Sequence, residues 1–445
     1  MSSRFTALPL PSGEAFLLET DYKGQDFVVL VDSGRRYAGT NPLVTAIHDA
    51  APHIDRIDVA ICTHQDADHA NGFRTFADQW CGNGNTIGEF WLPGRWAVGF
   101  PSVLTNPIGL VTQIREGAES AENRRLVGED RERLGRDQSG HEKTDTLAPL
   151  SKVTDAFREY AVPDWYEDIS REDRLATSLG VSADQLSELR AEIEETDSYH
   201  DDVFRVAEVS FRSLLRSWLF DEPYERIEVS VRALQALDVA KSISSIARAA
   251  LRWSIPIRWF DFGLFESTEK PSGGIAGFLK PICSVELSRP PVNPSSDVVF
   301  LALALSRQNV ESLVFYRVEN SREPGVLFLG DSRLSFGLAS PKKDFEMPAV
   351  SPVRQIIATA AHHGSQVNDH AYEVINQWAS GSPLYIRNGG EHNQTLHEFH
   401  RQAFRRCAVC RECAGRRTSR RVVVGSVGNE WSWPPLDGAP CPRTN

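Results

Sequence analysis

Apolar and polar positions follow two distinct patterns along this chain. Short apolar runs bounded by turn residues predict strands at 14–19, 27–32, 57–62 and 90–93, the first two joined by a turn around Lys23 and Gly24. Runs of the same kind return at 257–260, 298–301, 312–318, 325–329, 356–360 and 383–386. Helical stretches alternate with some of them, around 40–52, 70–80, 368–379 and 395–412. Between the two groups of strands the period changes to that of a helix. Ser182 is placed to cap a helix that begins Ala183-Asp-Gln-Leu-Ser-Glu-Leu. Helical patterns continue through 211–218 and 227–253, where Leu234, Leu237, Ala240 and Ile243 recur every three residues. These patterns predict an α/β protein with a mixed sheet, interrupted by a helical insertion over 98–255. The strand-bearing halves are then 1–97 and 256–430, with a tail at 431–445.

Charge sharpens that division. The formal net charge is −12. The segment from Arg115 to Phe204 holds 24 acidic and 12 basic side chains, so it carries all of that charge. Its stretch 119–145 is polar enough to read as a loop. An acidic chain is a poor nucleic-acid coat or membrane-surface binder as a whole. No apolar run reaches the roughly 18 residues of a membrane helix, and the start lacks the apolar core of a secretory signal. The expectation is a cytoplasmic protein without a membrane partner, whose seven cysteines are thiols or metal ligands rather than disulfides.

The densest chemical signal is Thr63-His64-Gln65-Asp66-Ala67-Asp68-His69. Four metal-capable side chains fall within six residues, directly after an apolar strand. A strand that ends in such a cluster puts it at the carboxyl edge of a sheet, where open α/β folds place their sites. Imidazole and carboxylate together suit a divalent transition metal. Three later strands end the same way. One leads to Gly330-Asp331, one to His362-His363-Gly364-Ser365, and one to Asn388-Gly389-Gly390 with Asn393 and His397 beyond.

This series resembles the metallo-β-lactamase-fold superfamily. Within it, the chain is most similar to the nuclease domain of the bacterial competence DNA-uptake channel and its soluble relatives. The matching pieces run from Phe27 to Gly34 and from Thr63 to His69, with Gly72. They continue with Trp91-Leu92-Pro93, Ser312-Leu313-Val314, Leu329 to Asp331, His362 to Ser365, and Asn393 with His397. They span about 10–97 and 256–430, a little over half of the chain. The superfamily has His where Asp66 stands, and supplies a further metal His before the bridging Asp. The only histidines in the acidic insertion, His141 and His200, follow no strand.

The resemblance implies an αββα sandwich and a site for two divalent ions, Zn²⁺ or Mn²⁺. His64 and Asp66 would hold one ion, Asp68 and His69 the second, with Asp331 bridging. His363, with His362 as the alternative, would complete the second site. Carboxylate in place of imidazole hardens the site and brings Mn²⁺ forward. Asp68 would orient the attacking hydroxide. His362, Ser365 and His397 would hold the phosphate or protonate the leaving oxygen, with Asn393 beside them.

Two further features lie near the end. Cys407, Cys410 and Cys413, with Cys441 or His400, could form a structural zinc site. The alternative is one face of a helix carrying buried thiols. From Arg401 to Arg421 there are eight Arg and one Glu. This is either a solvated basic face or a track for a phosphate backbone, with Arg401 and Arg405 nearest the cleft. The expected activity is metal-dependent phosphodiester hydrolysis, with DNA as substrate. Its rivals are a metallohydrolase of a small molecule and an interaction protein with a vestigial site. The acidic insertion is expected to bind a regulatory protein partner or to restrain the nuclease electrostatically.

Overall fold

The computed structural model describes residues 3–35, 41–120, 148–160, 170–218, 224–291, 293–304, 311–320, 323–337, 343–349, 355–379, 383–389, 397–410, 418–419 and 421–432. Its first strands are β1 (Arg4–Ala7), β2 (Phe16–Tyr22), β3 (Gln25–Val31), β4 (Arg56–Ile61) and β5 (Thr86–Pro93). After the helical segment come β6 (Ile257–Asp261), β7 (Leu279–Pro281), β8 (Val285–Leu287), β9 (Phe315–Arg317) and β10 (Val326–Phe328). The remainder are β11 (Ser335–Phe336), β12 (Lys343–Asp344), β13 (Ile357–Thr359), β14 (Leu384–Arg387), β15 (Arg405–Cys407), β16 (Val409–Cys410), β17 (Thr418–Ser419), β18 (Val422–Val427) and β19 (Glu430–Trp431).

Two sheets and two short hairpins result. The first sheet runs β19-β18-β1-β2-β3-β4-β5-β6-β8, and the second β15-β14-β13-β10-β9-β7. The strands β3 to β6 are mutually parallel, as are β10, β13, β14 and β15. Alternation along each strand sends neighbouring side chains to opposite faces. One apolar cluster joins Phe5, Leu18, Val29, Ile61 and Trp91 of the first sheet to Phe315, Phe328, Ile357 and Ile386 of the second. The rings of Trp91 and Phe315 lie 5.2 Å apart across it. The intervening residues, such as Leu17, Leu30, Ala60 and Phe90, or Tyr316, Leu327 and Ala358, join a second cluster with the helices.

Those helices are α1 (Pro42–Ala50), α2 (Ala67–Ala70), α3 (Phe73–Gly82), α4 (Phe100–Thr105) and α5 (Pro107–Glu119). They continue as α6 (Ala148–Phe157), α7 (Arg171–Leu179), α8 (Ala183–Trp218), α9 (Tyr224–Arg252), α10 (Phe262–Thr268), α11 (Ser296–Ala304), α12 (His370–Trp378) and α13 (His397–Arg401). The helices from α4 to α9 fill the connection between β5 and β6. Neighbouring parallel strands require a crossover, and here the helical insertion supplies it. Ser182 caps α8 as expected: its Oγ accepts from Gln185 N at 3.2 Å, and Gln185 Oε1 accepts from Ser182 N at 2.9 Å. On α9, Leu237, Ala240 and Ile243 are fully buried. No described helix is long and apolar enough to cross a membrane.

Two expectations change. The run 298–301 is not a strand but the middle of α11, which packs against α5 and α9. Residues Val299 to Ala304 are all buried, so no polar face marks the helical period. Among its described residues, the stretch 395–412 is helical only over α13, then turns to β15 and β16. Cys407 and Cys410 therefore do not share a helix face. Cys413, Cys441, Asn393 and His141 lie outside the described residues, as does most of the loop-like stretch 119–145.

Candidate metal centre

Four strand ends and one loop from the first sheet's edge build the site. The cluster from His64 to His69 leaves the end of β4, Asp331 follows β10, His362 and His363 follow β13, and Asn388 follows β14. All are carboxyl ends of parallel strands. The two sheets are tied together there. Leu313 N donates to Thr63 O at 2.8 Å, and Asn388 Nδ2 donates to Leu8 O and Ala15 O at 2.7 and 2.8 Å. The loop before β2 reaches across through Gly13. Its φ is +83°, and a Cβ there would lie about 2.1 Å from Asp68 O, so only glycine permits the approach. Glu14 N then donates to Asp68 O at 3.1 Å.

Seven side chains proposed from the sequence meet here. His64 Nε2 lies 3.4 Å from Asp331 Oδ2 and 3.7 Å from Asp66 Oδ2. His69 Nε2 lies 3.5 Å from Asp331 Oδ1. His362 Nε2 lies 3.6 Å from Asp331 Oδ2, and His363 Nε2 lies 3.3 Å from Asp68 Oδ2. These separations exceed hydrogen-bond length. They match the spacing, about 3.3 Å, of two ligand atoms each about 2.0–2.1 Å from one tetrahedral ion.

The site also leaves polar atoms stranded. His64 Nε2, His69 Nε2 and Asp331 Oδ1 are buried without a hydrogen-bond partner. Each such atom costs about 1–3 kcal/mol if nothing satisfies it, and these three face one another. Two groups are close enough to share an ion: His64, His69 and Asp331, and Glu14, His69 and His363. The donor set therefore fits a divalent cation. Imidazole and carboxylate in this mixture accommodate Zn²⁺ and Mn²⁺ alike.

The atoms turned away from the cluster are held. Asp32 Oδ2 accepts from His69 Nδ1 at 2.8 Å, and Thr63 N and Oγ1 donate to the Asp32 carboxylate at 2.8–3.0 Å. His363 Nδ1 lies 2.9 Å from Glu14 Oε2 and 3.1 Å from Asn388 O. His64 Nδ1 is 3.0 Å from Thr63 Oγ1. Such partners fix ring orientation and leave Nε2 free to ligate. The backbone is strained to achieve this, with Asp32 at φ +60°, His362 at +47° and His363 at +53°.

The field is strongly cation-seeking. Burial disfavours charge on His64, but the Asp331 and Asp66 carboxylates outweigh it and hold its pKa well above the ordinary value. Burial likewise opposes charge on His363, and Glu14 and Asp68 raise its pKa well above normal. Asp331 is held well below the usual carboxylate range: burial opposes this, but His64 and His69 prevail.

Exposure gives the cluster a front. Asp66, Asp68 and His362 are 26%, 17% and 19% exposed, whereas His64, His69, His363 and Asp331 are buried. Ser365 is buried in the turn after His363, where its N–H donates to His362 O at 2.8 Å. Arg401 is exposed and paired with Glu398 at 3.2 Å, and Arg405 donates to Gln402 O. His397 opens α13. Glu14, Asp32 and Arg387 carry roles that the sequence reading did not assign; Arg387 Nε donates to His363 O at 2.5 Å. Glu14 follows a glycine and begins an apolar strand, and a carboxylate in that position is the signal that was available.

No protein-family model matches the chain, and no curated protein matches it.

Proposed function

We propose that this chain is a metal-dependent phosphodiesterase, with DNA as the first substrate to test. The observation that carries the proposal is the pair of ligand sets sharing Asp331. His64 and His362 face its Oδ2, with Asp66 beside His64, and His69 faces its Oδ1, with Asp68 and His363 paired nearby. A carboxylate approached from both oxygens suits a bridge between two ions. The helix–sheet–sheet–helix distribution of the two apolar clusters supports the metallo-β-lactamase-like sandwich as the fold behind it. In this reading His362, on the His64 side of Asp331, would help to hold the first ion.

Bound divalent ions would supply an activated water at neutral pH and neutralise phosphoryl oxygens. The remaining chemistry belongs to the chain. Asp68 at the open front accepts a hydrogen bond from the attacking water and orients it. Asp32 and Glu14 keep His69 and His363 in place. His362, the most exposed of the four histidines, would serve either as a ligand beside Asp331 Oδ2 or, unligated, as the acid for the leaving oxygen.

A second reading, hydrolysis of a small phosphodiester, is favoured by one observation. A cleft of about 420 Å³ adjoins Asp66, within the range of small-molecule sites. The two readings separate in one assay series. The Mn²⁺- or Zn²⁺-loaded chain is offered supercoiled plasmid and bis(p-nitrophenyl) phosphate. Cleavage of both supports the nuclease, and cleavage of the small diester alone supports the second reading. Asp68→Ala with His69→Ala should abolish either activity in a folded chain. Full activity in that double variant would refute metal-dependent hydrolysis at this site.

A further inference from the structure

The cleft beside Asp66 is built by two parts of the chain that the sequence keeps far apart. One wall is the metal loop: Gln65, Asp66, Ala67, Ala70 and Asn71. The other is a stripe of α9 at Gln235, Asp238, Val239, Ser242, Ser245 and Ile246, with Lys241 beside it. Residues spaced three and four apart share a helix face, so the stripe is one continuous surface. Ser242 Oγ donates to Asn71 Oδ1 at 3.0 Å and fastens the walls at one point. The insertion thus reaches the open front of the metal cluster rather than standing apart from it.

The lining selects the ligand. Lys241 is the one cation among the lining residues, and it is already committed. Its ammonium pairs with Glu208 and lies 3.7 Å from Asp238. With Asp66 and Asp238 against the single Lys241, the lining is net negative and disfavours a second phosphate. What it offers instead is an apolar floor of Ala67, Ala70, Val239 and Ile246. Around it stand the Gln235 amide and the Ser242 and Ser245 hydroxyls. At the metal end, Gln65 Oε1 is buried and lacks a hydrogen-bond partner. A buried acceptor beside a cleft gains from any ligand N–H or O–H that reaches it.

We infer that this cleft is the subsite for an uncharged, hydrogen-bonding group of nucleoside size, attached to the phosphate that faces the metal cluster. The inference rests on the phosphodiesterase reading for the position of the phosphate. It makes the helical insertion the determinant of which diesters fit. A bare aryl diester leaves the cleft unfilled, whereas a nucleotide diester, free or at a strand end, fills it.

Binding tests this without turnover. The full chain is titrated with thymidine and adenosine by calorimetry, with and without Mn²⁺, and with inorganic phosphate as the comparison. The parent should bind at least one nucleoside. Ser245→Leu fills the cleft and should weaken nucleoside affinity about tenfold or more. Phosphate affinity in the presence of Mn²⁺ should change by less than about twofold, a level far below tenfold discrimination. Gln235 is exposed, so Gln235→Ala provides a second variant that leaves helix packing intact. It should weaken nucleoside binding in the same direction. Absence of nucleoside binding in the parent, or equal affinity in parent and both variants, overturns the subsite. A parent that cleaves diesters but binds no nucleoside overturns this inference alone. One that binds nucleosides but cleaves no diester overturns the phosphodiesterase reading instead.

Discussion

Asp32 shows how much of the site depends on residues that touch no substrate. It holds a left-handed backbone conformation in order to accept hydrogen bonds from Thr63 and His69 at once. One partner fixes the start of the metal loop, and the other aims its last imidazole. Asp32→Asn keeps the shape but weakens the hold on His69 Nδ1. The expected result is a fall of about 10–100-fold in metal affinity with the fold retained, measured by competition with a chromogenic chelator. Unchanged affinity would reduce Asp32 to a turn residue. The metal-capable residues that the structure brings together were legible because such side chains concentrate in strand-end motifs. Glu14 and Asp32 were not, because their roles depend on which chain segments meet, and that is set by long-range packing.

At the level of elements, β6 ends where α10 begins, and Asp261 occupies the junction. Its Oδ1 accepts from Leu264 N at 2.7 Å and caps the helix. Its Oδ2 is buried without a partner. Burial raises its pKa to about 6, against the opposing pull of Arg95. A carboxyl raised in the folded state contributes its stability below the unfolded value, near 4, and loses it as pH rises through about 6. The change is about 3 kcal/mol. Asn caps as well as Asp, so Asp261→Asn should remove this dependence. Urea midpoints at pH 4.5 and pH 7.5 should favour the variant more at the higher pH. A constant difference between variant and parent would contradict the assignment. The elements themselves were read unevenly. Strands buried on both faces stood out as short apolar runs and helices with a polar face by their period, as the capping of α8 at Ser182 illustrates. The run in α11 did not, because a helix enclosed by other helices has no polar side to reveal its turn. Strands β1 and β18 also escaped, since each takes its meaning from the other: Phe5 pairs with Val424 across the distance between the two ends of the chain.

Across the whole molecule, the arrangement joins a sheet-built metal cluster to a helix-built wall. The crossover between β5 and β6 carries the acidic segment, and its last helix returns to the metal loop. The mixed α/β character was readable from periodicity. That α9 lines the cleft was not, because helix-face spacing alone does not say which neighbour the face meets. In the basic stretch near the end, Arg401 pairs with Glu398 and Arg405 donates to Gln402 O. Everything functional in this account depends on two ions sharing Asp331. The most direct test is elemental analysis of the full chain after loading with Mn²⁺ or Zn²⁺ and desalting, compared with Asp331→Asn. The account predicts that the parent holds about two more ions than the variant, as a bridged two-metal site requires. Equal metal content in the two folded proteins would contradict it.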